Sequence, residues 1–314
     1  YSYTPPAGDD LALFRCGISN GCGTIYSNEA ELDIMFAPVI ASNPVNSTIC
    51  QEGSTSFKIT ASGDVSTYSW EYSQDNVTYN TVPSQVPFSG TGTSELILTN
   101  TSLTYNNYYF RCKVSNSCFS SYSTAAKLTI QTRLTISSAP SGNSYICDGS
   151  NASFSVSYSG TAPISVQWQE YINGWNDLPG QTASTLTFPV SLSMNNRQYH
   201  AVVTQANLCN TSITTTAATL LVNALPKVEI QPQNQEKCRE ENATFSVIGS
   251  GAGISYHWQI SRNSGVNWFN INNTGHYSGA NSANLVVSNV QDSINGYQFR
   301  CRIDGTCTPA VTSD

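Results

Sequence analysis

Tyr68-Ser69-Trp70-Glu71-Tyr72 decides the fold of this chain, because it returns twice as Val166-Gln167-Trp168-Gln169-Glu170 and Tyr256-His257-Trp258-Gln259-Ile260. In each copy a tryptophan stands at the centre of a short run whose apolar and polar residues alternate, the signature of a half-buried strand. The sequence around the three tryptophans repeats as well. A cysteine precedes each copy (Cys50, Cys147, Cys238), followed by an alternating stretch: Phe57 and Ile59, Phe154, Val156 and Tyr158, or Phe245 and Val247. A second apolar strand follows the tryptophan, at Leu96-Ile97-Leu98, Leu186-Thr187-Phe188 and Leu285-Val286-Val287. A closing strand (Phe110, Cys112, Val114; Tyr199, Ala201, Val203; Phe299, Cys301, Ile303) leads to a last cysteine, Cys118, Cys209 or Cys307. The period is about 90 to 98 residues, which reads as tandem domains of one kind. Period-two alternation, Gly/Asn/Ser turns and no helical stripe predict an all-β chain of antiparallel β-sandwiches.

The expected units are residues 36–131, 132–223 and 224–314, with short proline-marked junctions at Ala37-Pro38, Ala139-Pro140 and Leu225-Pro226. Residues 1–35 repeat only the end of a unit: Phe14-Arg15-Cys16 and Cys22 match Phe110-Arg111-Cys112 and Cys118. They are expected to be the final strands of a preceding repeat. The third unit is expected to be truncated in its last strand, so that the chain is a window on a longer repeat protein.

Composition excludes several classes. Lys and Arg number 13 against 20 Asp and Glu, for a net charge of −7, and no basic run is present. Nucleic acid and anionic membranes therefore have nothing to grip. No apolar stretch nears the roughly 18 residues of a membrane span, and Tyr1 to Asp10 is too polar for a signal peptide. Ten cysteines at repeating positions point to an oxidising setting, hence an extracellular or cell-surface location.

The units resemble immunoglobulin-like domains. The inward position ahead of the tryptophan, normally a cysteine, is Ile59, Val156 or Val247, while Cys112 and Cys301 hold the closing-strand position that is Ala201 in the middle unit. Only Tyr199, against Phe110 and Phe299, keeps the hydroxyl that the resemblance assigns to a tyrosine corner. The nearer resemblance is to the Ig-like repeats of large surface and secreted proteins of Bacteroidetes-type bacteria. It rests on Cys50-Gln51-Glu52-Gly53, Tyr256-His257-Trp258-Gln259, Gly265-Val266-Asn267-Trp268, Tyr277-Ser278-Gly279-Ala280 and Asn295-Gly296-Tyr297-Gln298-Phe299-Arg300-Cys301. It implies a gliding-type or surface adhesin exported by type IX secretion, with neighbouring repeats, surface glycans or cell-surface proteins and the secretion machinery as partners.

If disulfides stay within a unit, the middle one can pair only Cys147–Cys209. Position then gives Cys50–Cys118 and Cys238–Cys307, leaving Cys112, Cys301 and Cys16 as buried free thiols. The alternative is Cys112–Cys118, Cys301–Cys307 and Cys16–Cys22 across the last hairpin; connectivity is not fixed by sequence.

No catalytic motif, metal-ligand spacing or phosphate-cradling loop occurs, so neither an enzyme nor a cofactor or metal is expected. Of the histidines, His200 and His257 are expected to face outward from strands, and His276 to lie in a turn. Tyr79, Trp175 and Trp268 each follow a polar turn after the tryptophan strand. They are candidates for stacking on a sugar, or for covering the sandwich edge. Sequons at Asn46, Asn76, Asn100, Asn151, Asn210, Asn242 and Asn272 are numerous in a chain rich in Asn, Ser and Thr. Ser293, in Asp292-Ser293-Ile294, resembles an O-glycosylation motif of the Bacteroidetes lineage.

Overall fold

The computed structural model describes residues 2–142 and 145–314, and these are strands, turns and four single-turn 3-10 segments. Contacts group the chain into two compact units. The first comprises Tyr1–Leu134, Gly160–Pro163 and Gln205–Thr211; the second comprises Thr135–Ser159, Ile164–Thr204 and Ser212–Asp314.

In the first unit the tryptophan strand Thr67–Ser73 pairs antiparallel with the closing strand Tyr109–Ser115, Trp70 opposite Cys112. The sheet continues through Ala126–Gln131 to Ser47–Cys50, which runs parallel to it. Facing it is a sheet of Phe88–Ser89, Glu95–Leu98 and Thr55–Lys58. Alternation puts Phe57, Ile59, Trp70, Leu96, Leu98, Phe110, Cys112, Val114, Leu128 and Ile130 between the two layers. The hairpins of residues 11–35 pair Ala12–Phe14 with Ala30–Leu32 and Gly17–Asn20 with Gly23–Tyr26. Among the described residues they have no opposing sheet, and Cys16 is exposed rather than buried as expected.

The second unit repeats the plan. Ile164–Tyr171 lies between Trp175–Asp177 and Gln198–Gln205, with Asn151–Ser155 and Thr185–Pro189 forming the other layer. Next along the chain, Ser255–Ser261 pairs with Gln298–Asp304, Trp258 opposite Cys301, and Ala243–Ser246, Asn284–Val287 and Tyr277–Ser278 form the facing sheet. Ile146–Cys147 runs parallel to Val222–Asn223, as Ser47–Cys50 does to Ala126–Gln131.

Trp70, Trp168 and Trp258 are fully buried. A buried indole N–H needs an acceptor, and each finds an equivalent one: the carbonyls of Thr93 at 2.9 Å, Ala183 at 2.8 Å and Ser282 at 2.8 Å. The closing strand is pinned identically. The Cys16, Cys112, Ala201 and Cys301 amides donate to the hydroxyls of Ser27, Ser123, Thr215 and Ser313 at 2.8–3.0 Å. The tyrosine-corner bond is not made: Tyr199's hydroxyl is buried without a partner among the described residues, and burial pushes its pKa up to about 12.

Candidate functional site

The disulfides are Cys50–Cys209 and Cys147–Cys307, spanning 159 and 160 residues. The expected Cys50–Cys118, Cys147–Cys209 and Cys238–Cys307 pairs are therefore corrected, and the hairpin alternative does not form either. Cys16, Cys22, Cys112, Cys118, Cys238 and Cys301 are free. The physical reason lies in strand length. Cys50 sits beside Gln131, past the Tyr109 end of the closing strand, whereas Cys118 lies past its Ser115 end. Six residue rises make about 20 Å, several times the roughly 4.4–6.8 Å that a disulfide permits between Cα atoms. An opening cysteine cannot reach the closing loop of its own sandwich. It reaches the closing-loop cysteine of the next repeat in sequence, and the two bridges obey one rule: Cys50 to Cys209, Cys147 to Cys307.

The loop that receives the Cys50 bridge is built to hold its cysteine. Asn207's side-chain carbonyl accepts the Cys209 amide at 2.9 Å, while its amide donates to the Thr161 carbonyl. Gln205 donates to the carbonyls of Thr132 and Thr161, both at 2.8 Å. Asn20 and Asn116 hold the amides of Cys22 and Cys118 in the same way. The opening cysteines share a turn: Glu52, Gly149 and Glu240 adopt positive φ (65°, 80° and 69°) two residues after the cysteine.

The aromatic candidates occupy a second repeated arrangement. Tyr79 lies on Arg111 (3.6 Å), Trp175 on His200 (rings 3.5 Å apart, 15° between planes) and Trp268 on Arg300 (4.1 Å). Arg111, His200 and Arg300 hold one position of the closing strand. Each also bonds the residue after the core tryptophan: Glu71 at 2.8 Å, Gln169 at 2.6 Å and Gln259 at 2.8 Å. One face of each aromatic thus covers a cation or imidazole. Tyr79 also bonds Asn76, and Trp268 donates to the Gly265 carbonyl at 3.0 Å. Trp175 is 38% exposed and the most open of the three.

His200 corrects the expectation that it faces outward: it is 6% exposed, because Trp175 closes over it. Burial holds its pKa below the ordinary 6.5, so the unfolded chain binds more protons below that value than the folded one. The stability His200 contributes is complete above pH about 6.5 and is lost as pH falls through its lowered folded value. Urea midpoints of the wild type are therefore expected to fall from about pH 7.5 to about pH 5 more than those of His200→Gln. Equal slopes would remove His200 as a source of the pH dependence.

The thiols divide in two. Burial pushes Cys112 and Cys301 up to about 11, while Cys16, Cys22, Cys118 and Cys238 are exposed. A maleimide is expected to label the exposed set in the native protein and to reach Cys112 and Cys301 only after unfolding. Mass mapping that finds Cys112 or Cys301 modified under native conditions would contradict this placement.

His257 is partly exposed and lies 3.6 Å from Asp304, and the His276 Nδ1–H donates to the Ser288 carbonyl, so no two histidines share a site. Among the described residues no group of three His, Cys, Asp or Glu could hold a metal ion, and no helix is long and apolar enough to cross a membrane. Ser293 is exposed in the turn Asp292–Ile294. Three sequon side chains carry structure: Asn46 accepts from the Lys127 amide, Asn242 from that of Asn289, and Asn76 from the Tyr79 hydroxyl.

A model described as Domain of unknown function (DUF8696) matches residues 40–132. No curated protein matches. Among solved structures, an I-band fragment of titin (domains I67-I69) is similar at 14% identity and a TM-score of 0.57, covering 89% of this chain and 97% of that one. The N-terminal eight Ig domains of Down Syndrome Cell Adhesion Molecule are similar at 15% identity and a TM-score of 0.52, covering 96% and 39%. These likenesses concern the fold: the chain consists of tandem immunoglobulin-like antiparallel β-sandwiches.

Proposed function

We propose that this chain is a non-enzymatic structural and adhesive repeat segment, a stalk or display region, of a large bacterial cell-surface or secreted protein. The observation that carries the reading is the pair of bridges joining Cys50 and Cys147 to the closing loop of the following repeat. Bridges of this kind persist where the surroundings are oxidising, and they tie a repeat to its neighbour rather than closing a single core. The units assigned to this role are residues 36–131, 132–223 and 224–314, whose first partners are one another. The resemblance of their motifs to Bacteroidetes-type repeats favours export by a type IX route and contact with that machinery, and glycosylation at Ser293 fits the same setting.

Non-reducing peptide maps of the protein recovered from intact source cells, combined with surface protease treatment of those cells, test the reading. Both bridges oxidised in a protease-accessible protein is the expected result. Fully reduced cysteines in a protease-protected pool would reject it.

A second reading, a glycan-binding module, is favoured by one feature: Trp175 leaves a ring face open beside Tyr171, 5.4 Å away edge-on. Saturable glycan binding abolished by Trp175→Ala would select it. Tyr79 and Trp268 serve this reading less well, since their rings are engaged by Arg111 and Arg300.

A further inference from the structure

We propose that the middle sandwich binds a compact organic cation, an alkylated ammonium group, in the corner formed by Trp175, Tyr171 and Asp177. Tyr171 and Trp175 stand directly opposite where Ile164–Tyr171 pairs with Trp175–Asp177. Their rings meet edge-on, 5.4 Å between centroids and 71° between planes. Asp177 lies two residues beyond Trp175, on the same face of the strand and about 7 Å along it. All three side chains are exposed. The stack on His200 fixes the back of the Trp175 ring and leaves its front open, so the corner is ordered before a ligand arrives. Two aromatic walls near a right angle, with a carboxylate beside them, are half of a cage of the kind that holds quaternary ammonium groups.

The sister sandwiches show what is different here. In the first, Tyr79 already lies on a guanidinium, Arg111, which Glu71 neutralises at 2.8 Å. In the third, Trp268 lies on the guanidinium of Arg300. The residue level with Asp177 is uncharged in both: Thr81 stands opposite Glu71, and Asn270 opposite Gln259, as Asp177 stands opposite Gln169. The middle repeat inverts the pattern. Its built-in cation is replaced by His200, which burial keeps neutral at pH 7, and a carboxylate is added at the rim. The Trp175 ring therefore has no cation of its own, and the corner carries a net negative charge.

The polar groups around the corner favour a cation over a sugar. The Asn176 amide is spent on the Ile172 and Gly174 carbonyls. Gln169 accepts from the His200 Nε2–H and donates to one Asp177 oxygen, at 2.6 and 2.7 Å. The amides that would hold sugar hydroxyls are thus engaged. The second Asp177 oxygen has no partner among the described residues, and Arg197, just ahead of the closing strand, is paired with Glu170 at 3.2 Å. What remains free is a carboxylate between π faces, in a chain of net charge −7. This inference goes beyond the structural role and competes with the glycan reading for the same ring.

The test titrates the whole chain with choline and follows the indole N–H resonance of Trp175, identified by its loss in Trp175→Phe. A saturable shift is expected. Neohexanol, in which carbon replaces the ammonium nitrogen of choline, is expected to bind roughly tenfold more weakly. Asp177→Asn is expected to weaken choline several-fold and to leave neohexanol unchanged. His200→Arg, which rebuilds the arrangement of the sister sandwiches, is expected to weaken choline about tenfold by placing a fixed cation behind the ring. No saturable shift, equal affinity for choline and neohexanol, or choline binding untouched by both substitutions would each overturn the proposal. Tighter binding of methyl glucoside than of choline would overturn it in favour of the glycan reading. None of these outcomes bears on the bridges, on which the structural role rests.

Discussion

When the protein is stretched between a point ahead of Cys50 and a point beyond Cys307, the fully extended length between those two residues is expected to collapse from about 900 Å in the reduced chain to about 200 Å in the oxidised one, at roughly 3.5 Å per residue. The two bridges interleave: Cys147 lies inside the loop closed by Cys50–Cys209, and Cys209 lies inside the loop closed by Cys147–Cys307. The shortest covalent route therefore runs from Cys50 across to Cys209, back along roughly 60 residues to Cys147, and across to Cys307. Only the segment between Cys147 and Cys209 can be pulled straight, and it is traversed backwards. Two separate loops of this size in series would hide their contents completely; interleaving leaves the core of the middle repeat as the single extensible element. Single-molecule force spectroscopy with and without a reductant measures this directly. An oxidised chain that still yields the full length would mean the bridges are not made as described. Intermediate lengths on serine substitution separate the two: Cys50→Ser and Cys147→Ser should each lengthen the extensible path from roughly 60 to about 100 residues, since each leaves one bridge and one by-passed loop.

That topology was not legible in the sequence, although its ingredients were. The repeat identified two classes of cysteine, one ahead of the first strand and one after the closing strand, and the structure keeps those classes. Periodicity makes Cys50, Cys147 and Cys238 equivalent, and Cys118, Cys209 and Cys307 equivalent. It cannot say whether a class-one residue meets the class-two residue of its own repeat or of the next, because both rules have the same period. The signal that discriminates is the seven-residue closing strand Tyr109–Ser115, whose two ends carry the two classes. Its rise excludes the intrarepeat pair once the parallel pairing of Ser47–Cys50 with Ala126–Gln131 places Cys50 at the Tyr109 end. The tryptophans, by contrast, were readable because alternation alone fixes which face of a strand is inward. His200 defeated the same reasoning for a definite cause. It occupies an outward position of its strand, but the stacked Trp175 belongs to the neighbouring strand Trp175–Asp177, and a side chain's cover from the next strand is not contained in the alternation of its own.

Trp168→Ala is expected to destabilise the middle repeat by about 3–5 kcal/mol, the usual range for deleting a buried aromatic. Against a net stability on the order of 5–15 kcal/mol for a domain, that is a large share. Trp168 is fully buried, and two losses combine in its removal. The ring's apolar surface leaves a cavity that the rigid strands Ile164–Tyr171 and Gln198–Gln205 cannot close. The Ala183 carbonyl, 2.8 Å from the indole nitrogen, is left without its donor. Trp168→Phe separates the two: it keeps most of the ring but not the N–H, and about 1–3 kcal/mol is expected from the unpaired buried carbonyl together with the lost volume. The middle repeat is the informative one. Its closing strand carries Ala201 where its neighbours carry Cys112 and Cys301, so less side chain is available to slide into the void. Trp70→Ala and Trp258→Ala, with a cysteine directly opposite, are expected to cost the same or slightly less. Hydrogen exchange of the amides in Ile164–Tyr171 reads the middle repeat apart from the others, which a whole-chain melt of three linked sandwiches would blur. A loss below about 1 kcal/mol for Trp168→Ala would mean that the ring does not fill the core, and the sandwich assignment resting on the three repeated tryptophans would fall with it.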